Sequence, residues 1–188
     1  MTDQNPMGPL ESIQEGRNSV EENHKLADRA AELSPDREGK YLTFSLGGEE
    51  YGIGILKVKE IIGMMRITPV PQTPYFVKGV INLRGKVIPV IELRSRFGME
   101  SIEFTDRTCI IVVETNTRAG KTHTGIVVDS VSEVVNIKSA DIEDAPAFGT
   151  TLDTGYILGM AKKDGGVKIL LDIDRVLAGE EFDFLEVA

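Results

Sequence analysis

Residues 78–94, KGVINLRGKVIPVIELR, constrain the fold more than any other stretch of this chain. Val80, Ile81 and Leu83 run up to Arg84-Gly85, and Val87, Ile88, Val90 and Ile91 run away from it. Two β-branched runs joined by a polar residue and a glycine predict a tight hairpin, because glycine takes φ > 0 without a steric cost. A guanidinium is thereby set at the tip of a stiff two-stranded support. Fixed there, it offers five donors to a carboxylate or to the backbone oxygens of a partner. A solvated turn residue is the plainer reading of the same pattern.

The flanking chain continues in β fashion. Tyr41, Thr43 and Ser45 alternate with Leu42, Phe44 and Leu46, and Gly47-Gly48 turns the chain into Tyr51, Ile53 and Ile55. Positions 55, 58, 61 and 62 are apolar and fit a strand or a short helical turn. Pro69, Pro71 and Pro74 punctuate a loop before Tyr75-Phe76-Val77, where one helical turn is expected. A short helix over 93–97 should close at Gly98. Residues 107–114 hold the strongest strand signal, followed by a polar loop over 115–122 and strands over 125–128 and 131–137. Residues 141–154 read as irregular. A last hairpin turns at Lys163-Asp164-Gly165-Gly166, and helical turns follow within 172–188.

Short strands, glycine turns and few long helices predict a mainly β fold of small barrels. Strand spacing puts one barrel around 41–98 and a second around 105–171, with no clear internal repeat between them. Residues 1–40 differ: nine acidic and five basic residues and no aromatic predict a flexible acidic tail. Within it, Ser19 as N-cap with Glu22 three residues on allows a helix over 19–33.

The 188 residues carry a net charge of -9, which argues against a nucleic-acid backbone or an anionic membrane as the main partner. Cys109 is the one cysteine and excludes an intrachain disulfide; TCIIVV reads as a buried strand. No apolar run approaches the roughly 18 residues of a membrane span, and no signal peptide is visible, so a cytoplasmic location is expected.

Catalytic motifs are sparse. Ala119-Gly120-Lys121-Thr122 is like the end of a phosphate loop, but Thr115 stands where its first glycine belongs. His24 and His123 lack companions for zinc or for a nucleophile. Asp172 and Asp174 could form an acid–base dyad, although Asp174 before Arg175 suits a helix N-cap, and Asp129 invites the same comparison. Val58 and Glu60, if on a strand, point to one face. Phe148 is either a core plug or an interface anchor. No metal, cofactor or catalytic set emerges.

The runs LGGEEYGIGILKVKEI, TPYFVKGVINLRGKVIPVIELRSRFG and TGIVVDSVSEVVNI closely resemble the CheW-like domains of bacterial chemotaxis coupling proteins, over about four fifths of the chain from Tyr41 onward. Such domains also occur in the CheA kinase and the CheV adaptor, but a chain ending at Ala188 leaves no room for a kinase or receiver domain, so a stand-alone coupler is expected. The resemblance implies two five-stranded SH3-like barrels with a groove between them and no catalysis. It implies a link between the cytoplasmic tip of methyl-accepting receptors and the regulatory domain of a CheA-type histidine kinase. By position, Val58, Glu60, Gly79, Arg84, Gly85 and Val134 match receptor-binding places. Phe148 matches a kinase contact, with Ile142 and Ala145 in the same loop. The chain departs from the family in its long tail, in an enlarged 115–122 segment, and in Glu143, where some relatives carry a basic residue. A coupler for a non-chemotactic pathway (pili or development) and an enzyme using Asp172 and Asp174 are the alternatives.

Overall fold

The chain divides into two units, Met1–Arg37 and Glu38–Ala188. The computed structural model describes residues 37–117, 119–147, 154–179 and 181–182. The expected helix over 19–33, Phe148 and most of the last helical turn lie outside the described residues. Among the described residues the second unit holds eleven strands: β1 (Gly39–Leu46), β2 (Glu49–Gly54), β3 (Val58–Gly63), β4 (Val77–Leu83), β5 (Lys86–Glu92), β6 (Cys109–Thr117), β7 (Gly120–Val128), β8 (Ser130–Ile137), β9 (Ile142–Glu143), β10 (Ile157–Lys163) and β11 (Gly166–Leu171). Two short helices, α1 (Leu93–Arg96) and α2 (Ile173–Val176), follow β5 and β11.

The strands form two sheets, ordered β8-β1-β2-β11-β10-β9 and β3-β6-β7-β5-β4. This corrects the expected division into barrels over 41–98 and 105–171. The hairpin β1–β2 belongs with β8–β11, and the hairpin β6–β7 belongs with β3–β5. The reason lies in a short connection. β2 and β3 are joined by a 3-10 turn of three residues, Ile55–Lys57. In a shared sheet of this order β3 would lie beside β1 and parallel to β2, and parallel strands need a crossover of about a dozen residues. Three residues can only carry the chain forward into the other sheet.

Both sheets show one run of pairings: antiparallel, antiparallel, parallel, antiparallel. In chain order, β6, β7, β8, β10, β11 and α2 therefore repeat β1, β2, β3, β4, β5 and α1, so the chain does contain an internal repeat. Val58-Lys59-Glu60-Ile61-Ile62 corresponds to Val131-Ser132-Glu133-Val134-Val135, each with a bulge against its partner strand. Gly52 and Gly125 take the same place in the parallel pairings, and Gly79 and Gly159 both follow a bulge. Identity at a few positions scattered among exchanged apolar residues hides this relation in the sequence.

Three apolar clusters follow from the period of two along each strand. Tyr41, Val135, Ile137, Ile142, Ala161 and Leu170 fill the first sheet's interior, and Ile81, Ile88, Val90, Ile110, Val112 and Val127 fill the second's. The largest cluster takes residues from both sheets, among them Leu42, Phe44, Ile53, Ile91, Ile111, Val113, Ile126 and Leu171. TCIIVV is apolar without alternation for this reason: Ile110 and Val112 face one core while Ile111 and Val113 face the other.

Two local expectations change. Tyr75-Phe76 is a turn rather than helix, because the Phe76 carbonyl accepts from Glu92 N at 2.9 Å and β4 begins at Val77. Residues 115–122 mostly extend the β6–β7 hairpin, with Thr115 opposite Thr122 and Asn116 opposite Lys121; the threonines there are strand formers and Thr115 is buried. Gly120-Lys121-Thr122 thus enters a strand, not the helix a phosphate loop requires.

An ionic clasp ties the sheets at one junction. Arg94 of α1 donates Nε to Asp129 Oδ1 at 2.7 Å and Nη2 to Oδ2 at 2.6 Å, and Gly47 N in the β1–β2 turn donates to Oδ2 at 2.9 Å. The Arg94 hydrogen bonds, then the Gly47 amide, hold the Asp129 carboxyl below its ordinary range against the opposing effect of burial. A depressed folded-state pKa contributes stability above the unfolded value, near 3.9, and loses it as pH falls through the folded value. Asp129→Asn should therefore lower the unfolding free energy by about 1 kcal/mol at neutral pH. The gap to the unaltered chain should close below roughly pH 4 in urea titrations run across pH.

Candidate partner-binding site

The β4–β5 turn places Arg84 at φ 52° and Gly85 at φ 84°, and Leu83 pairs with Lys86 across it. Both central residues are left-handed, the two-residue turn whose twist suits a hairpin and which favours Asn-Gly or Asp-Gly. The equivalent β10–β11 turn obeys that preference with Asp164-Gly165, and the β1–β2 turn takes the same left-handed pair with Gly47-Gly48. An arginine in this conformation carries strain that the surroundings must offset. Asn82 Oδ1 accepts from Gly85 N at 2.8 Å and props the turn.

Arg84 then forms a two-pronged pair with Glu60 on β3: Nη1 lies 2.8 Å from Oε2, and Nη2 also bonds Oε1. The pair holds the Glu60 carboxyl below its usual range, chiefly through these hydrogen bonds. The Arg84 side chain is 73% exposed and that of Glu60 28%. The guanidinium is thus oriented but still accessible. Beside the pair is a hollow of about 250 Å³, floored by Leu83, Ile88 and Val112 and rimmed by Lys59, Lys86 and His123. Glu114 nearby holds Lys121 at 3.1 Å and Lys59 at 3.4 Å and lies 3.5 Å from His123, which sits in β7. The group combines an oriented cation, an apolar floor and a mixed-charge rim. Its chemistry is recognition of an acidic or carbonyl-bearing apolar surface.

The other expected site residues divide. Gly85 belongs to the tip. Gly79, buried at φ 140°, has its missing side chain used by the chain itself: a Cβ there would lie 2.1 Å from the Thr68 carbonyl oxygen and 2.9 Å from Pro69 Cα. Thr68 and Val80 exchange backbone hydrogen bonds of 2.8 and 2.9 Å at this approach. The close backbone approach that a glycine permits is made here within the chain. Val58 and Glu60 do not share a face, because the bulge between them sets Val58 opposite Val113 and Glu60 opposite Val112. Val58 packs against the core between the sheets while Glu60 reaches the hollow. Val134 is 51% exposed on β8, in the other sheet. Its counterpart Ile61 is 43% exposed on β3. Ile61 escaped the sequence reading, and the Val-x-Glu-apolar-apolar repeat is the signal that finds it.

Of the expected kinase contacts, Ile142 is buried within the first sheet's interior, Ala145 is half-buried, and Phe148 lies outside the described residues. Glu143 pairs with Lys162 on the surface. Asp172, not Asp174, caps α2, accepting from Arg175 N at 3.3 Å, because the helix starts two residues earlier than an Asp174 cap would place it. Asp174 binds Lys57 Nζ at 2.5 Å and Asn116 N at 3.0 Å. Among the described residues, no group of three His, Cys, Asp or Glu could hold a metal ion, and no helix is long and apolar enough to cross a membrane.

Residues 40–181 match the CheW-like domain. The chain belongs to the CheW-like domain family. A chemotaxis protein CheW of Klebsiella aerogenes is 41% identical over 147 residues, spanning 78% of this chain and 86% of that protein. One of Rhizobium meliloti is 34% identical over 140 residues, 74% of this chain and 88% of its own. The solved scaffolding protein TtCheW from Thermoanaerobacter tengcongensis is similar at TM-score 0.67 and 38% identity, over 77% of this chain and 95% of that one. With that likeness, the two sheets are the two small SH3-like barrels of a CheW-like domain.

Two outcomes are expected of this CheW-like domain. Gly79→Ala should cost roughly 2 kcal/mol or more in chemical denaturation, since backbone must move to admit one methyl. Arg84→Asn, which gives the turn its preferred pair, should leave the thermal midpoint unchanged or higher although the Glu60 pair is lost.

Proposed function

We propose that this chain is a non-catalytic adaptor that joins the cytoplasmic tip of methyl-accepting chemotaxis receptors to the regulatory domain of a CheA-type histidine kinase. It works in the cytoplasm, held at the inner face of the membrane through receptors alone. Membership of the CheW-like family places it among chemotaxis adaptors and scaffolds. The observation that carries the receptor assignment is Arg84, kept in a strained turn, propped by Asn82 and aimed by Glu60 while its side chain stays open to solvent. Strain retained at an exposed arginine where asparagine would fold more easily is a mark of binding rather than of stability.

A receptor helical hairpin would lay apolar residues toward the exposed Ile61 and Val134, with Arg84 fixing register through charge-assisted hydrogen bonds. Glu60, Gly85 and Val58 then support the face, and Gly79 supports it from within by letting residues 68–69 pack under β4. The kinase regulatory domain would meet the segment from Ile142 onward, which Ile142 anchors in the barrel interior and in which Ala145 lies half-buried, with Phe148 as the family-matched contact that follows in the chain. Individually modest contacts gain strength when many are joined in an array.

The test is a titration against a receptor-tip fragment and, separately, against an isolated kinase regulatory domain. Arg84→Asn should weaken the first by roughly tenfold or more and leave the second unchanged. Unaltered receptor binding by a folded Arg84→Asn would overturn the assignment. Binding to neither partner by the unaltered chain would overturn the adaptor role.

A further inference from the structure

α1 and α2 hold equivalent places in the two repeats. Each follows the strand that pairs in parallel with a hairpin of the other repeat, β5 with β7 and β11 with β2. Each helix also meets the connection leaving that hairpin. Arg94 on α1 binds Asp129, between β7 and β8, at 2.7 and 2.6 Å. Asp174 on α2 binds Lys57, between β2 and β3, at 2.5 Å. The two pairs are reversed in sign: the helix supplies the cation in one and the anion in the other. Each carboxylate also accepts a backbone amide, Gly47 N for Asp129 and Asn116 N for Asp174. All four side chains are at least two-thirds covered, with exposures of 15% and 21% for Arg94 and Asp129, and 33% and 31% for Lys57 and Asp174. Mismatched charges at these places would be only partly screened.

Apolar packing gives the hairpins little means of choosing between repeats. Val90-Ile91 faces Gly125-Ile126 in one barrel, and Leu170-Leu171 faces Gly52-Ile53 in the other. Since the short connection keeps β1–β2 from pairing with β5 of its own repeat, the competing arrangement is exchange with a second copy, first repeat with first and second with second. In such a pairing Arg94 would meet Lys57, and Asp174 would meet Asp129.

We propose that the reversed ion pairs Arg94–Asp129 and Lys57–Asp174 direct hairpin exchange to the two repeats of one chain and against like-with-like exchange between two copies. Specificity arises here from repulsion in the wrong partner as much as from attraction in the right one.

The experiment is refolding of the full chain from denaturant at high protein concentration, read by size-exclusion chromatography with light scattering. Arg94→Asp with Asp174→Arg makes both intrachain pairs like-charged and both intercopy pairs opposite. It should shift the product from monomer to dimer. Lys57→Asp with Asp129→Lys reverses the connections instead and should do the same. All four substitutions together restore opposite charges within the chain and should return the monomer. Failure of both double variants to give a dimer, whether they stay monomeric or do not refold, overturns the proposal. A four-fold variant that dimerises as readily as the doubles also overturns it.

Discussion

The structure depends on the length of two connections. Three residues separate β2 from β3, and Asp129 alone separates β7 from β8. Neither allows the chain to turn back along a strand and close a barrel from its own repeat. Each repeat therefore lends its first hairpin to the other, and every later feature inherits this exchange. The apolar layer between the sheets is the largest core because both faces of the lent strands are used. One face fills a barrel and the other meets the neighbouring barrel.

On that frame the Arg84 turn stands out by contrast with the other two turns of left-handed pairs. Gly47-Gly48 and Asp164-Gly165 satisfy the left-handed turn with residues suited to it, whereas Arg84-Gly85 does so with a side chain that the backbone disfavours. Its tie to Glu60 crosses from β4–β5 to β3, an end strand of the sheet, so the guanidinium's aim depends on pairing through β6 and β7. The lent hairpin of the second repeat thus underlies the geometry of the first repeat's arginine.

Much of this was legible in the sequence. The hairpins β1–β2, β4–β5 and β10–β11 announced themselves through glycine, and the arginine at one tip was visible in the spacing of KGVINLRGKVIPVIELR. The partnering of strands was not. Strand spacing reports which segments are strands, while a connection's length decides whom they pair with, and the two point different ways at residues 55–57. The bulge at Lys59, which parts Val58 from Glu60, leaves no mark on a period of two read by eye. Nothing in the sequence around Gly79 marks Thr68, distant by eleven residues, as the group that packs against it. The cap of α2 lies two residues before the expected one because Asp172 and Asp174 are equally good candidates until the helix start is known.

The shared layer also bears on how the molecule comes apart. With each barrel composed of strands from both halves of the chain, and one apolar layer belonging to both, neither barrel has a separate unfolded state to visit. A single opening event should therefore release amide protons deep in β1 and β6, although they lie in different sheets. An object of this kind behaves mechanically as one block, and a load applied at one barrel is borne by the strands of the other.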